Sequence, residues 1–165
     1  MEHNRYGAGS NYGNKYGNSQ NRYNSSDRYR VRSPVKSFRD LEVYQKTIQL
    51  SNEITELGFL NEDKFADERR EIKETAEKIP RLIAESYGDK FDSKELACKK
   101  LTLVITLITN VITRLDILRD KFIENKEVKD ALDGLILKYT YQKRKVLNLR
   151  KAWNRVFGEK NNERE

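Results

Sequence analysis

Apolar residues recur at three- and four-residue steps over most of the chain, which is the period of a helix with one buried face. The first such segment spans about residues 38–57. It offers Leu41, Tyr44, Ile48 and Leu57, with Val43, Leu50 and Ile54 widening the stripe. Ser37 stands at its N-cap with Asp40 three residues on, and Gly58 follows its last turn, in keeping with capping-box and C-terminal glycine signals. A second segment over about 62–87 carries Phe65, Ile72, Ala76, Ile79, Ile83 and Tyr87 and stops at Gly88. Pro80 lies inside it and predicts a packing kink. The third, about 93–124, opens at Asp92 with Glu95 near the capping-box position. The fourth runs about 126–157 to Gly158. No alternating segment bounded by turn residues signals a strand. Links of a few residues make successive helices antiparallel neighbours. The expectation is an all-α fold, an up-down-up-down antiparallel four-helix bundle over residues 37–158.

The third segment is unusual. From Leu101 to Thr113 it contains no charge. Leu101, Leu103, Val104, Ile105, Leu107, Ile108, Val111 and Ile112 cover more than one face, and Thr102, Thr106, Thr109 and Thr113 occupy the rest. A helix apolar nearly all round is buried on more than one side. This predicts a homo-oligomer with an interface at Leu101, Ile105, Ile108 and Ile112. The competing explanation is a broad intramolecular core with the threonine side exposed.

Outside the bundle the pattern lapses. Residues 1–36 are read as a disordered tail, and 159–165 as a disordered C-terminus. The first 35 residues hold six Asn, five Tyr, five Ser and four Gly, with almost no aliphatics. Such a segment cannot bury enough apolar area to offset its ordering entropy. Tyr6, Tyr16, Tyr23 and Tyr29 each follow Arg or Lys, so the tail resembles low-complexity segments that bind RNA or self-associate. A solubilising extension without a specific ligand is the alternative.

Charge adds direction. The 165-residue chain has 33 Lys and Arg against 26 Asp and Glu, a formal net charge of +7, which favours an anionic partner. Between Gly134 and Gly158 there is no acid, yet Lys138, Lys143, Arg144, Lys145, Arg150, Lys151 and Arg155 all occur. On a helical wheel Arg144, Lys151 and Arg155 fall opposite the stripe of Leu132, Leu135, Ile136, Tyr139, Val146, Leu149, Trp153 and Phe157. Lys138 and Lys145 flank that stripe, while Lys143 and Arg150 fall within it and must snorkel, find an acid or face a wet space. Read functionally, the seven cations are a nucleic-acid-binding surface. Read structurally, they are a solvated face paired to the acid-rich second helix through Glu68, Glu71, Glu74 and Glu77. Tyr139, Tyr141 and Trp153 are interleaved with the cations and could stack on bases, although Tyr139 and Trp153 belong to the apolar stripe.

Several classes drop out. No apolar run approaches the roughly 20 residues of a membrane span, and no apolar block marks a signal peptide, so the expected setting is cytoplasmic with no membrane partner. The single cysteine, Cys98, and the single histidine, His3, leave no disulfide, no cysteine-rich zinc site, no nucleophile–base pair and no Glu-x-x-His metal ligation. Cys98 reads as a small core residue. Without a Gly-rich phosphate loop the expectation is no catalytic residue, no metal and no cofactor.

Two blocks carry a resemblance. Phe38-Arg39-Asp40-Leu41-Glu42-Val43-Tyr44-Gln45-Lys46 resembles the Phe-x-x-Leu-x-Val-[Trp/Tyr]-Gln-Lys opening of the bacterial 23S rRNA intervening-sequence family. Ile79-Pro80 and Ile83-Ala84-Glu85 match part of that family's Ser-Ile-Pro-x-Asn-Ile-Ala-Glu-Gly signature, with Lys78, Leu82 and Ser86 departing from it. The family includes the accessory variability proteins of diversity-generating retroelements. The resemblance covers about residues 37–157 and implies a four-helix bundle. It also implies a homo-pentamer, binding to RNA or other nucleic acid, and a reverse transcriptase as a possible partner. No catalytic residue is implied. A protein-interaction scaffold that docks an acidic partner or a polymerase is the rival reading.

Overall fold

The computed structural model describes residues 35–58, 63–122 and 124–158. The readings made of residues 1–34 and 159–165 lie outside them. A compact unit begins at Val35, two residues before the expected boundary, because the Tyr87 hydroxyl donates to the Val35 carbonyl at 2.9 Å.

The opening block is explained by local geometry. Ser37 caps a single 3-10 turn, Phe38–Asp40, its hydroxyl accepting from the Arg39 amide at 3.2 Å. Asp40 reaches back to accept from the Ser37 amide at 2.9 Å. Leu41 is extended and buried, and the first long helix, α1, runs Glu42–Thr55. The first element is therefore a turn and a helix rather than one helix over 38–57. The rings of Phe38 and Tyr44 meet edge-on with centroids 5.0 Å apart, and the Gln45 side-chain amide donates to the Arg39 carbonyl at 2.7 Å. The residues of the Phe-x-x-Leu-x-Val-Tyr-Gln pattern thus close the chain into α1.

A second 3-10 turn, Asp63–Phe65, leads into α2, Ala66–Asp89. α2 runs through Pro80 unbroken and buries Ile72, Ala76, Ile79, Pro80, Ile83 and Tyr87. α3 spans Lys94–Lys121, capped by the Ser93 hydroxyl rather than by Asp92. α4 spans Lys126–Gly158. α1 packs on α2, α2 on α3, α3 on α4 and α4 back on α1, which is the up-down-up-down bundle. Among the described residues there is no strand. The starts of α1 and α3 and the ends of α2 and α4 share one end of the bundle.

The core is continuous. Leu101, Val104, Ile108, Val111 and Leu115 of α3 are wholly buried against Ile54, Ile79, Ile83, Leu132, Tyr139 and Val146. In α1 the buried line is Val43, Thr47, Leu50 and Ile54, with Tyr44 and Ile48 at its margin, a small rotation from the expected stripe. Ile105, Leu107 and Ile112 are half-covered and pack against the core, so of the eight apolar residues between 101 and 112 only Leu103 is exposed. The bundle absorbs most of α3's apolar excess. By length and composition α3 could cross a bilayer, with a mean hydropathy of 1.7 over its most apolar stretch. A count of consecutive apolar residues does not register this, because threonines interrupt the run.

Candidate nucleic-acid interface

Three contacts set the register of α3 against α4. The Arg119 guanidinium pairs with Asp133 at 3.0 Å. Arg150 donates to the Thr102 hydroxyl at 2.9 Å. The Cys98 thiol donates to the Asn154 side-chain oxygen at 3.2 Å. As residue numbers fall by one on α3 they rise by one on α4, so Leu96–Leu115 lies opposite residues 137–156. Both stretches are free of acids. Sequence reading found the acid-free half of α4; that its α3 neighbour is acid-free over the same length appears only once the register is known.

The seven cations then divide. Lys138 pairs with Glu53 at 2.7 Å and Lys145 with Glu42 at 3.4 Å, so these two tie α4 to α1. Lys145 is held above the ordinary lysine value, first by its contact with the Tyr141 hydroxyl and then by the Glu42 charge. Among the described residues no carboxylate pairs with Lys143, Arg144, Arg150, Lys151 or Arg155. Arg144, Lys151 and Arg155 are exposed, whereas Lys143 and Arg150 are half-buried. Arg150 therefore snorkels to a neutral hydroxyl rather than to an acid. The five span about 18 Å of helix at 1.5 Å per residue.

The structural alternative named pairing to the second helix. Three of its four named acids are engaged elsewhere, Glu68 with Lys121 at 2.8 Å, Glu71 with Arg114 and Glu77 with Lys73 at 3.9 Å, while no ion pair joins Glu74 to another described residue. α2 and α4 sit on opposite corners of the bundle, so α2 carboxylates reach α3 and not α4. Beside the α4 cations, Thr102 and Thr106 of α3 are exposed and Thr109 half-buried. Their hydroxyls donate to carbonyls of their own helix, on Cys98, Thr102 and Ile105. Their oxygens remain able to accept, as Thr102 does from Arg150. The result is a neutral, polar flank along a positive ridge.

The interleaved aromatics separate too. Tyr139 is wholly buried and Trp153 nearly so. Among the described residues the Tyr139 hydroxyl has no hydrogen-bond partner, and burial followed by the Glu53 charge pushes it well above the usual phenol value. Tyr141 is 50% exposed and turned toward α1, away from Lys143 and Arg150, with the Lys145 ammonium 5.2 Å from its ring. It lines a groove of about 610 Å³ between α1 and α4, floored by Leu50 and Gln142 and edged by Leu137. The Lys138–Glu53 pair lies on its lining, and Lys145–Glu42 joins the same two helices.

The proposed oligomer residues need correction. Leu101 and Ile108 have no exposed surface, and Ile105 and Ile112 are half-covered by the chain's own core. Their spacing marks the inner side of α3. The apolar residues that α3 does expose are Leu96, Leu103 and Ile117. Cys98 is half-buried at the α3–α4 seam, not in the core. Among the described residues no cluster of His, Cys, Asp or Glu has the arrangement to hold a metal.

One further group was not legible in the sequence. At the end shared by the α2 terminus and the α4 terminus, the Lys90 ammonium lies 3.6 Å from the Tyr87 ring centroid, 4.7 Å from Phe91 and 5.4 Å from Trp153. Desolvation among these rings lowers its pKa from the ordinary lysine value. Phe91 meets Tyr87 edge-on at 5.6 Å and is itself 70% exposed.

No family model, curated protein or solved structure matches the chain.

Proposed function

We propose that this chain is a non-catalytic accessory protein that binds nucleic acid, RNA in the first instance, through the outer face of α3 and α4. One observation carries the reading: two neighbouring helices are acid-free over the same length, and five cations there have no carboxylate partner among the described residues. Cations whose only role is to hold a bundle together are paired, as Arg114 and Lys121 are. A ridge of unpaired ones beside neutral hydroxyls fits a phosphate backbone, which brings its own acceptors and releases counterions on binding. The resemblance of residues 38–46 and 79–85 to the intervening-sequence family supports the same reading.

The test is a binding isotherm on labelled RNA over a series of salt concentrations. Five phosphate contacts per chain predict a slope of log affinity against log salt of about −3.5 for a single strand. Affinity that ignores salt rejects the proposal. Self-association is a separate part of it and would use Leu96, Leu103 and Ile117. Sedimentation as a single copy at micromolar concentration removes that part and leaves the phosphate face standing.

A protein-docking reading has its own observation in the α1–α4 groove, where Leu137 is 71% exposed beside Tyr141. It predicts a partner captured independently of nucleic acid, and nuclease treatment that leaves the complex intact would favour it.

A further inference from the structure

Phe91 is the most exposed aromatic among the described residues, at 70%. Solvent exposure of that size has a cost that the fold does little to reduce, since the turn Lys90–Ser93 could carry a polar residue at the same position. Its surroundings are specific. Tyr87 supports one edge of its ring, and Lys90 holds an ammonium between the three rings of Tyr87, Phe91 and Trp153. Trp153 lies between Lys151 and Arg155 in sequence, but its ring is on the buried side of α4 while those two cations are on the solvent side. Lys94, three residues after Phe91, donates to the Asn154 carbonyl at 2.9 Å. An exposed aromatic ring, supported by the buried Tyr87 and joined to α4 through Lys90 and Lys94, therefore stands at the end of the bundle where α4 and its cations finish.

We infer that Phe91 is a stacking platform for an unpaired base at the end of the α4 phosphate ridge, which makes single-stranded nucleic acid the preferred ligand class. The inference rests on the proposed phosphate-binding face. A base laid on Phe91 gains stacking that is tolerant of sequence, because every base has a π face. A duplex keeps its bases stacked on one another and cannot use the platform unless an end frays. The Lys90 ammonium beside the ring is placed to meet the phosphate of the same nucleotide. Trp153, the only tryptophan in the chain, lies within the cluster and provides an intrinsic reporter.

The experiment compares a uridine oligonucleotide of about twelve residues, within the usual site size, with a blunt RNA duplex of the same length. Affinity is followed by anisotropy and by Trp153 emission. The native protein is expected to favour the single strand. Phe91→Ala is expected to weaken the single strand by about 5- to 150-fold, the usual range for one stacked base. The variant should leave duplex binding and the salt slope unchanged, since no charge is altered. Phe91→Tyr should restore the affinity, and a thermal melt of each variant reports the fold. If Phe91→Ala binds the single strand as tightly as the native chain with the same salt slope, the platform is refuted while the phosphate face survives. If the native chain binds neither oligonucleotide at low salt, the phosphate face fails, and the platform with it.

Discussion

α3 has two seams, and they are built differently. Against α2 its charges are paired along the whole length: Lys100 with Asp89 at 2.8 Å and Glu85 at 3.2 Å, Arg114 with Glu71, and Lys121 with Glu68 at 2.8 Å. Against α4 the described residues form one inter-helix ion pair, Arg119–Asp133, at the far end. Beyond it lie threonines and unpaired cations. The same helix is thus stitched on one side and left open to an anion on the other. Positive charge alone does not distinguish a structural lysine from one available to a ligand; the presence of a carboxylate on the neighbouring helix does.

The comparison can be broken in several ways. The largest effect is expected in the core that both seams share. Ile108→Ala should destabilise the fold by about 2–5 kcal/mol, while Leu103→Ala on the exposed side should stay within about 0.5 kcal/mol. Urea melts of the two variants check this, and equal losses would mean that α3 buries a second side.

Next is charge reversal on the open seam. Arg144→Glu with Lys151→Glu should weaken RNA binding at least tenfold or so and flatten the salt slope by about 2, with the melting temperature unchanged. Lys121→Glu on the stitched seam should do the opposite, lowering the melting temperature and leaving RNA affinity intact. Equal effects on binding from both seams would reduce the interface to net charge.

Tyr139→Phe should raise stability by about 1 kcal/mol, because it removes a buried hydroxyl with no partner. A loss of stability on calorimetry would show that this hydroxyl is engaged.

The smallest effect is in pH. Glu68 titrates below its ordinary value, first through its hydrogen bond with Lys121. Its contribution is therefore present above the normal carboxylate range and fades as pH falls through the depressed value. Lys100, raised by its hydrogen bond to Asp89, contributes below the ordinary lysine range and fades as pH rises through the raised value. Glu68→Gln should flatten the acid limb of a stability profile and leave the alkaline limb alone.

Helix number, order and approximate ends could be read from periodicity and caps, because a buried face repeats along a helix whatever it packs against. The Ser37 cap, the Gly88 stop and the buried line from Phe65 to Tyr87 are cases. The break at Leu41 could not, since an extended residue between two helical turns leaves the apolar spacing unchanged. The reading of Leu101 and Ile108 as interface residues failed where it needed to know a neighbour. Leu101 and Ile108 read as surplus because a one-dimensional pattern cannot count how many helices surround α3.

Counting acids along α4 identified a positive helix. It could not separate Lys138 and Lys145, which meet α1 carboxylates, from Lys143, Arg144, Arg150, Lys151 and Arg155, which meet none among the described residues. Nor could it bring Lys90 to Trp153. Periodicity is a property of each segment and survives in the string of residues. Pairing, exposure and the ring cluster depend on which segments become neighbours and in what register, and that is settled when the four helices close on a shared core.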